Sequence, residues 1–317
     1  MVLVPDLSVE VAGIRLKNPV IAASGTFGYG VEFAHLVELN RLGGLVVKGL
    51  SRQPLPGNPA PRLCETAAGM LNAIGLQNIG AAAFLRDKLP RLRAFDTAVF
   101  ANVFGYTMED YAEVIRILED GEGLAGYELN VSCPNTQRGG MWFACDPLLT
   151  HEVTAAARRV SSRPLIVKLS PNVTDITVFA RAAAEAGADA ISLVNTFLAL
   201  AIDLEARRPV LPNVTGGLSG PAIKPIALRM VYQAARAVRI PVIGIGGIRT
   251  GRDALEFVVA GATAVEVGTA SYFDPRATQR IVGEIEHYCC RHRIAALRSL
   301  VGTLQTDAPS PSSAADD

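Results

Sequence analysis

The chain is expected to fold as an α/β protein, a (β/α)8 TIM barrel, on three observations. Eight short apolar runs recur along it: VIAAS (20–24), GLVVKGL (44–50), AVFANVFG (98–105), YELNVS (127–132), PLIVKLS (164–170), AISLVNT (190–196), PVIGIGG (241–247) and AVEVGTA (264–270). They are nearly continuous in Val, Ile, Leu and Ala, as befits strands covered on both faces in a parallel sheet. Helical patterns follow them, at 31–42, 78–93, 107–119, 147–160, 174–186, 222–238, 251–260 and 276–294. A doubly wound open sheet is the alternative. The even alternation, and glycine-rich turns after the last two strands, favour closure.

Taken in order, residues 7–19 (LSVEVAGIRLKNP) alternate around Ala-Gly and read as a hairpin ahead of the first barrel strand, placed to plug the barrel's N-terminal end. Residues 51–77 and 197–221 are long insertions after strands 2 and 6, where loops build a barrel's active-site rim. EAGADAISLVNT and VAGATAVEVGT each stop a helix at Gly before a buried strand. Residues 1–302 are expected to form one barrel domain, and 303–317, ending in DAPSPSSAADD, a disordered tail.

The 317 residues carry 30 Lys+Arg against 30 Asp+Glu, so no basic field favours nucleic acid or an anionic membrane. The opening MVLVPDLSVEVAG has neither a basic n-region nor a long apolar run, so a cytoplasmic chain without a signal peptide or membrane span is expected. Its five cysteines, Cys64, Cys133, Cys145, Cys289 and Cys290, form no CxxC pair, which disfavours a metal or iron–sulfur site within the chain. Only five of the basic residues are Lys: Lys17, Lys48, Lys88, Lys168 and Lys224. Two of these fall on barrel strands, where a compact ammonium can stabilise negative charge.

Polar side chains gather where the strands end. They are Ser24 and Thr26 after strand 1, Lys48 on strand 2, Asn102 on strand 3, and Asn130, Ser132 and Cys133 from strand 4. Strand 5 adds Lys168 and Ser170, and strand 6 adds Asn195 and Thr196. Each costs about 1–3 kcal/mol if buried without a partner, so the ring needs something to bond to. Amides donate and accept at once and suit a planar heterocycle with lactam groups, although each Asn could instead cap its own loop. GIGGIRTG (244–251) and VGTA (267–270) offer backbone N–H groups and a helix N-terminus for a phosphate. GTFGYG (25–30) does not match GxGxxG, so no dinucleotide fold is expected.

The motifs ASGTFGYG, VVKGL, NAIGLQN, ELNVSCPN, VKLSPNVTDI, VNT, GGLSGPAIKPIALR, GIGGI and VGTA, in this order over residues 5–300, resemble those of the dihydroorotate dehydrogenases. GGLSGPAIKPIALR and NAIGLQN look like the class 1 B-type. The resemblance implies an FMN-containing barrel that oxidises dihydroorotate to orotate in pyrimidine synthesis and passes electrons to NAD through a partner subunit. That partner would carry FAD and an iron–sulfur cluster, flanking a homodimer core in a heterotetramer. Cys133 falls on the family's catalytic base. FMN contacts fall on Ser24, Lys48, Gly49, Asn102, Asn130, Lys168 and Val194. Phosphate contacts fall on Gly246, Gly247, Gly268 and Thr269, with Gly220 nearby. Orotate contacts fall on Lys48, Asn72, Ala73, Ile74, Gly75, Leu76, Asn130, Asn195 and Thr196. Lys168 is expected to favour the reduced flavin, Lys48 to bridge flavin and substrate, and residues 134–146 to form a lid. MWFACD (141–146), with Trp142 and Cys145, departs from the small side chains the family would place there.

A fumarate-linked A-type enzyme is the nearest rival, followed by a dihydropyrimidine-reducing flavoenzyme. A flavin enzyme acting on transfer RNA would want a basic face. A phosphosugar isomerase or Schiff-base aldolase would use the same phosphate turns and a strand Lys.

Overall fold

The structure is a computed structural model that describes residues 4–131 and 145–306. Eight parallel strands close into a barrel. In order they are Val20–Ala22, Gly44–Val46, Ala98–Val103, Gly126–Asn130, Leu165–Lys168, Ala190–Leu193, Val242–Ile245 and Ala264–Val267. They are termed barrel strands 1 to 8. Closure comes from the pairing of strand 8 on strand 1, with Val265 opposite Val20. The fold is thus the (β/α)8 barrel, with strands shorter than the apolar runs because their polar ends turn out into the rim.

Within the barrel, one register per strand points inward. Phe100 fills the lower layer because its neighbours have no side chain: a Cβ at Gly44 would lie 3.2 Å from its ring, and one at Gly126 3.4 Å. The next inward layer is polar and forms the floor of the site.

Helices Met108–Glu119, Pro147–Val160, Ile176–Glu185, Lys224–Ala237, Gly251–Ala260 and Ala277–Arg291 cover the outside, each within a few residues of the predicted bounds. The expected 78–93 helix is two short pieces, Ala81–Asp87 and Leu89–Leu92. The helix expected over 31–42 does not form. That stretch is a series of turns with mostly i→i−3 bonds, such as Leu36 to Phe33, ending in a 3-10 turn at Leu39–Arg41. Tertiary ties override its helical pattern: Glu32 is held by the Tyr29 N–H and by Lys88, and the Glu38 N–H reaches Gln279.

The N-terminal hairpin pairs Val9–Val11 with Ile14–Leu16. It sits at the N-terminal end of the barrel, since Asn18 binds Arg41 and Gly43 and Lys17 binds Asn40 and Asp96, all ahead of barrel strands 2 and 3. The two insertions are more ordered than loops. Their segments Leu63–Thr66, Gly69–Asn72, Thr215–Ser219 and Phe197–Leu200 form a four-stranded antiparallel sheet above the C-terminal barrel ends. No helix among the described residues is long and apolar enough to cross a membrane.

Candidate active site

The polar floor links six of the eight strands. Lys168 Nζ donates to Ser24 Oγ (3.2 Å), Glu128 Oε1 (3.4 Å) and Glu266 Oε2 (3.4 Å). Glu128 also accepts from Asn102 Nδ2 (2.7 Å), Ser24 Oγ (3.3 Å) and Ser192 Oγ (2.8 Å). Lys168 is 5% exposed, Glu128 0% and Glu266 1%. Burial works against the Lys168 charge, but the Glu128 and Glu266 carboxylates outweigh it and hold the ammonium above its ordinary value. Burial likewise opposes the Glu128 charge, yet Lys168 holds that carboxyl below its ordinary value. The Glu266 carboxyl is pushed well up, by burial first and then by the Glu128 charge.

Above this floor opens a cavity of about 1320 Å3, counting the part continuous with solvent. Its wall contains Ser24, Lys48, Gly49, Asn102, Asn130, Lys168, Val194, Gly220, Gly246, Gly247, Gly268 and Thr269, which are all the positions expected to hold FMN. Of those expected to hold the substrate, Asn72, Ile74, Gly75, Leu76, Asn195 and Thr196 also line it. Ala73 does not. It is 1% exposed and packs away from the cavity, in a small apolar cluster with Leu71 and Leu211 beneath the antiparallel sheet. A strand places neighbours on opposite faces, so Asn72 turns to the cavity side and Ala73 away from it.

Several rim amides are partly engaged by the protein itself. Asn102 spends Nδ2 on Glu128, while a Cβ at Gly49 would lie only 2.8 Å from its Oδ1. Asn195 Nδ2 donates to Asn130 Oδ1 (3.3 Å), and its Oδ1 accepts from the Thr196 N–H (2.8 Å). Asn72 Nδ2 donates to the Gly217 carbonyl (3.2 Å), tying the NAIGL loop to the strand 6 insertion.

The end expected to hold the phosphate is a backbone cradle. Gly247 has φ +73°, and a Cβ there would stand 2.7 Å from Lys224 Cβ and 2.9 Å from the Gly220 carbonyl. The N–H groups of Gly247, Gly268 and Thr269 donate to no backbone carbonyl among the described residues. The neighbouring helix Gly251–Ala260 is a different matter. Its N-terminus is closed by a capping box in which Thr250 Oγ1 accepts from the Asp253 N–H and Asp253 accepts from the Arg249 and Thr250 N–H groups. The protein's own carboxylates thus engage the Arg249, Thr250 and Gly251 N–H groups, the last through Glu284. Free N–H groups at a glycine turn, an ammonium beneath the ring position and amide edges around it fit a phosphorylated flavin.

Cys133, Ser132, Trp142 and the 134–144 part of the expected lid lie outside the described residues. Cys145 is exposed, Cys289 is buried, and Cys64 and Cys290 are half-buried. Sequence reasoning missed Glu128, Ser192 and Glu266. The signal was present, since a Glu inside an apolar strand run such as YELNVS or AVEVGTA must find a buried partner. It also missed Met70, Gln77, Arg249, Tyr272 and Phe273 on the cavity wall.

A family model described as dihydroorotate dehydrogenase matches residues 6–289. A putative dihydroorotate dehydrogenase A (fumarate) of Solibacter usitatus is 64% identical over 301 residues, covering 95% of this chain and 99% of the relative. The catalytic subunit of a dihydroorotate dehydrogenase B (NAD(+)) of Geobacter sp. strain M21 is 58% identical over 301 residues, with the same coverage. A crystal structure of the Eimeria tenella enzyme in complex with ferulenol superposes with a TM-score of 0.78 at 23% identity, over 94% of this chain and 88% of that one, and so shares the fold.

Proposed function

The chain belongs to the dihydroorotate dehydrogenase family and is an FMN-dependent oxidoreductase; from that premise we propose that it converts (S)-dihydroorotate to orotate with Cys133 as base and passes electrons to NAD through a partner subunit. The observation that carries the reading is the gathering of every position expected to hold FMN, and all but one expected to hold orotate, on the wall of one cavity.

FMN, when bound, supplies the hydride acceptor. The protein's residues do the rest. Cys133 removes the C5 proton from the substrate face turned away from the ring. Lys168 directs positive charge at the ring from below. Lys48, Asn130, Asn195 and Thr196 orient the substrate's lactam and carboxylate groups. The antiparallel sheet, with Asn72 at the end of its inner strand Gly69–Asn72 and Ile74 to Leu76 just beyond, covers the site and keeps water from the proton transfer.

The acceptor divides the relatives. The 64% identical protein bears a fumarate name, whereas the 58% identical one bears an NAD name as a catalytic subunit. The B-type reading rests on the GGLSGPAIKPIALR and NAIGLQN segments and on the lack of a dinucleotide fingerprint in this chain. The partner then carries FAD and an iron–sulfur cluster, and the assembly is a homodimer flanked by two such subunits. The purified chain alone is expected to reduce neither NAD nor fumarate at a rate matching its reduction by dihydroorotate. Brisk fumarate turnover by the chain alone would establish the A-type instead.

A further inference from the structure

We propose that Glu266 is a positioning residue for this reaction, sharing one proton with Glu128 below the cavity floor so that Lys168 is balanced by a single negative charge. The proposal rests on the FMN-dependent reading above and deepens it.

The geometry sets the problem. Two carboxyls face one ammonium, each at 3.4 Å. Glu128 is 0% and Glu266 1% exposed, so a full second negative charge would be held without solvation. The donors are unequally divided. Glu128 accepts from Asn102, Ser24, Ser192 and Lys168, whereas Glu266 accepts from Lys168 alone and its buried Oε1 accepts from nothing among the described residues. Two further cations, Lys48 just beyond strand 2 and Arg249 after strand 7, line the cavity above the floor. Strand 7 (VIGI) and strand 1 (VIA), which flank Glu266, bring no titratable side chain, nor does strand 2 (GLV). Strands 3 and 6 present only the neutral Asn102 and Ser192, and Ser24, just beyond strand 1, is neutral too.

Two carboxylates on one ammonium have no donor to offer each other unless one is protonated. A single shared proton supplies it and leaves the cluster neutral. The directions agree: burial and the Glu128 charge push Glu266 well up, while Lys168 holds Glu128 down despite burial. Glu266 is absent from the cavity wall, so it acts on the ring only through Lys168. When the pair loses its proton at alkaline pH, the floor becomes net negative and opposes the arrival of electrons above it.

The test compares the full-length chain with Glu266→Gln, whose amide can donate to Glu128 but cannot ionise. Spectroelectrochemical titration of both FMN-loaded forms from pH 6 to 10 is expected to give parallel lines at acidic pH. On the alkaline side the wild-type flavin potential should fall more steeply, by about a tenfold change in the oxidised-to-reduced ratio, or ~30 mV for two electrons. Independently, infrared spectra of the FMN-free chain at neutral pH should show a deuterium-sensitive protonated-carboxyl band that Glu266→Gln lacks. Should that variant not fold, Glu266→Met serves for the same band. Superimposable potential curves, or no such band in the wild type, would overturn the proposal. A chain that takes up no FMN would sink the flavin reading instead and leave the infrared result to decide this one.

Discussion

Replacing Cys133 by Ala is expected to lower turnover with dihydroorotate by about 10²–10⁴-fold while FMN stays bound, because a positioned acid–base group typically contributes that factor. Cys133 follows Asn130, on the cavity wall, by three residues in the run ELNVSCPN. An ordinary thiol has a pKa of about 8.5, and the thiolate is the active form, so wild-type turnover is expected to rise with pH towards that value. Turnover assays paired with flavin absorbance on the purified variant decide the matter. Near-normal rates would remove Cys133 from the role of base.

Lys168→Met has the second large effect, and it acts on both stability and chemistry. The ammonium bonds both Glu128 and Glu266 in the polar floor. Removing one partner of a buried ion pair costs about 3–5 kcal/mol, since the remaining charge is left uncompensated. The sign with pH follows from the two directions. Glu128 sits below its ordinary value, so its contribution is present above the unfolded value of about 4.3 and lost as pH falls through the folded value. Lys168 sits above its ordinary value, so its contribution is present below the unfolded value of about 10.4 and lost as pH rises through the folded one. The deficit of the variant is therefore widest between those limits and narrows as pH falls from the unfolded carboxyl value through the lower folded value of Glu128. Adding Glu128→Gln should recover part of it. Flavin reduction by dihydroorotate should slow even in molecules that remain folded, because the Lys168 charge is lost from the cavity floor. Denaturant melts across pH, with stopped-flow reduction, would show both; unslowed reduction would end the electrostatic role of Lys168.

The barrel was legible because its strands are short and buried on both faces. Runs such as PLIVKLS and AVEVGTA cannot alternate, and their spacing with helical patterns admits few other folds. The 31–42 helix misled for the opposite reason: a good local pattern lost to the ties of Glu32 and Glu38 to distant residues. The four-stranded sheet was invisible because its pairs join residues far apart, such as Met70 with Ser219, through Gly-rich segments of weak strand propensity. At the site, the rim residues were read one by one from strand ends. The floor was not, because Glu128 and Glu266 were taken as members of apolar runs when their charge demanded a partner. Near the turn expected to hold the phosphate, Gly247 lines the cavity, and Asp253 closes the adjoining helix end three residues after Thr250.

The visible spectrum of the purified chain, recorded before and after anaerobic addition of dihydroorotate, bears on all of this at once. A yellow protein whose flavin absorbance bleaches on addition is the expected result. A colourless chain, or a flavin band that dihydroorotate leaves untouched while other reductants bleach it, would contradict a ring-binding cavity over the Lys168 floor that takes a hydride from this substrate.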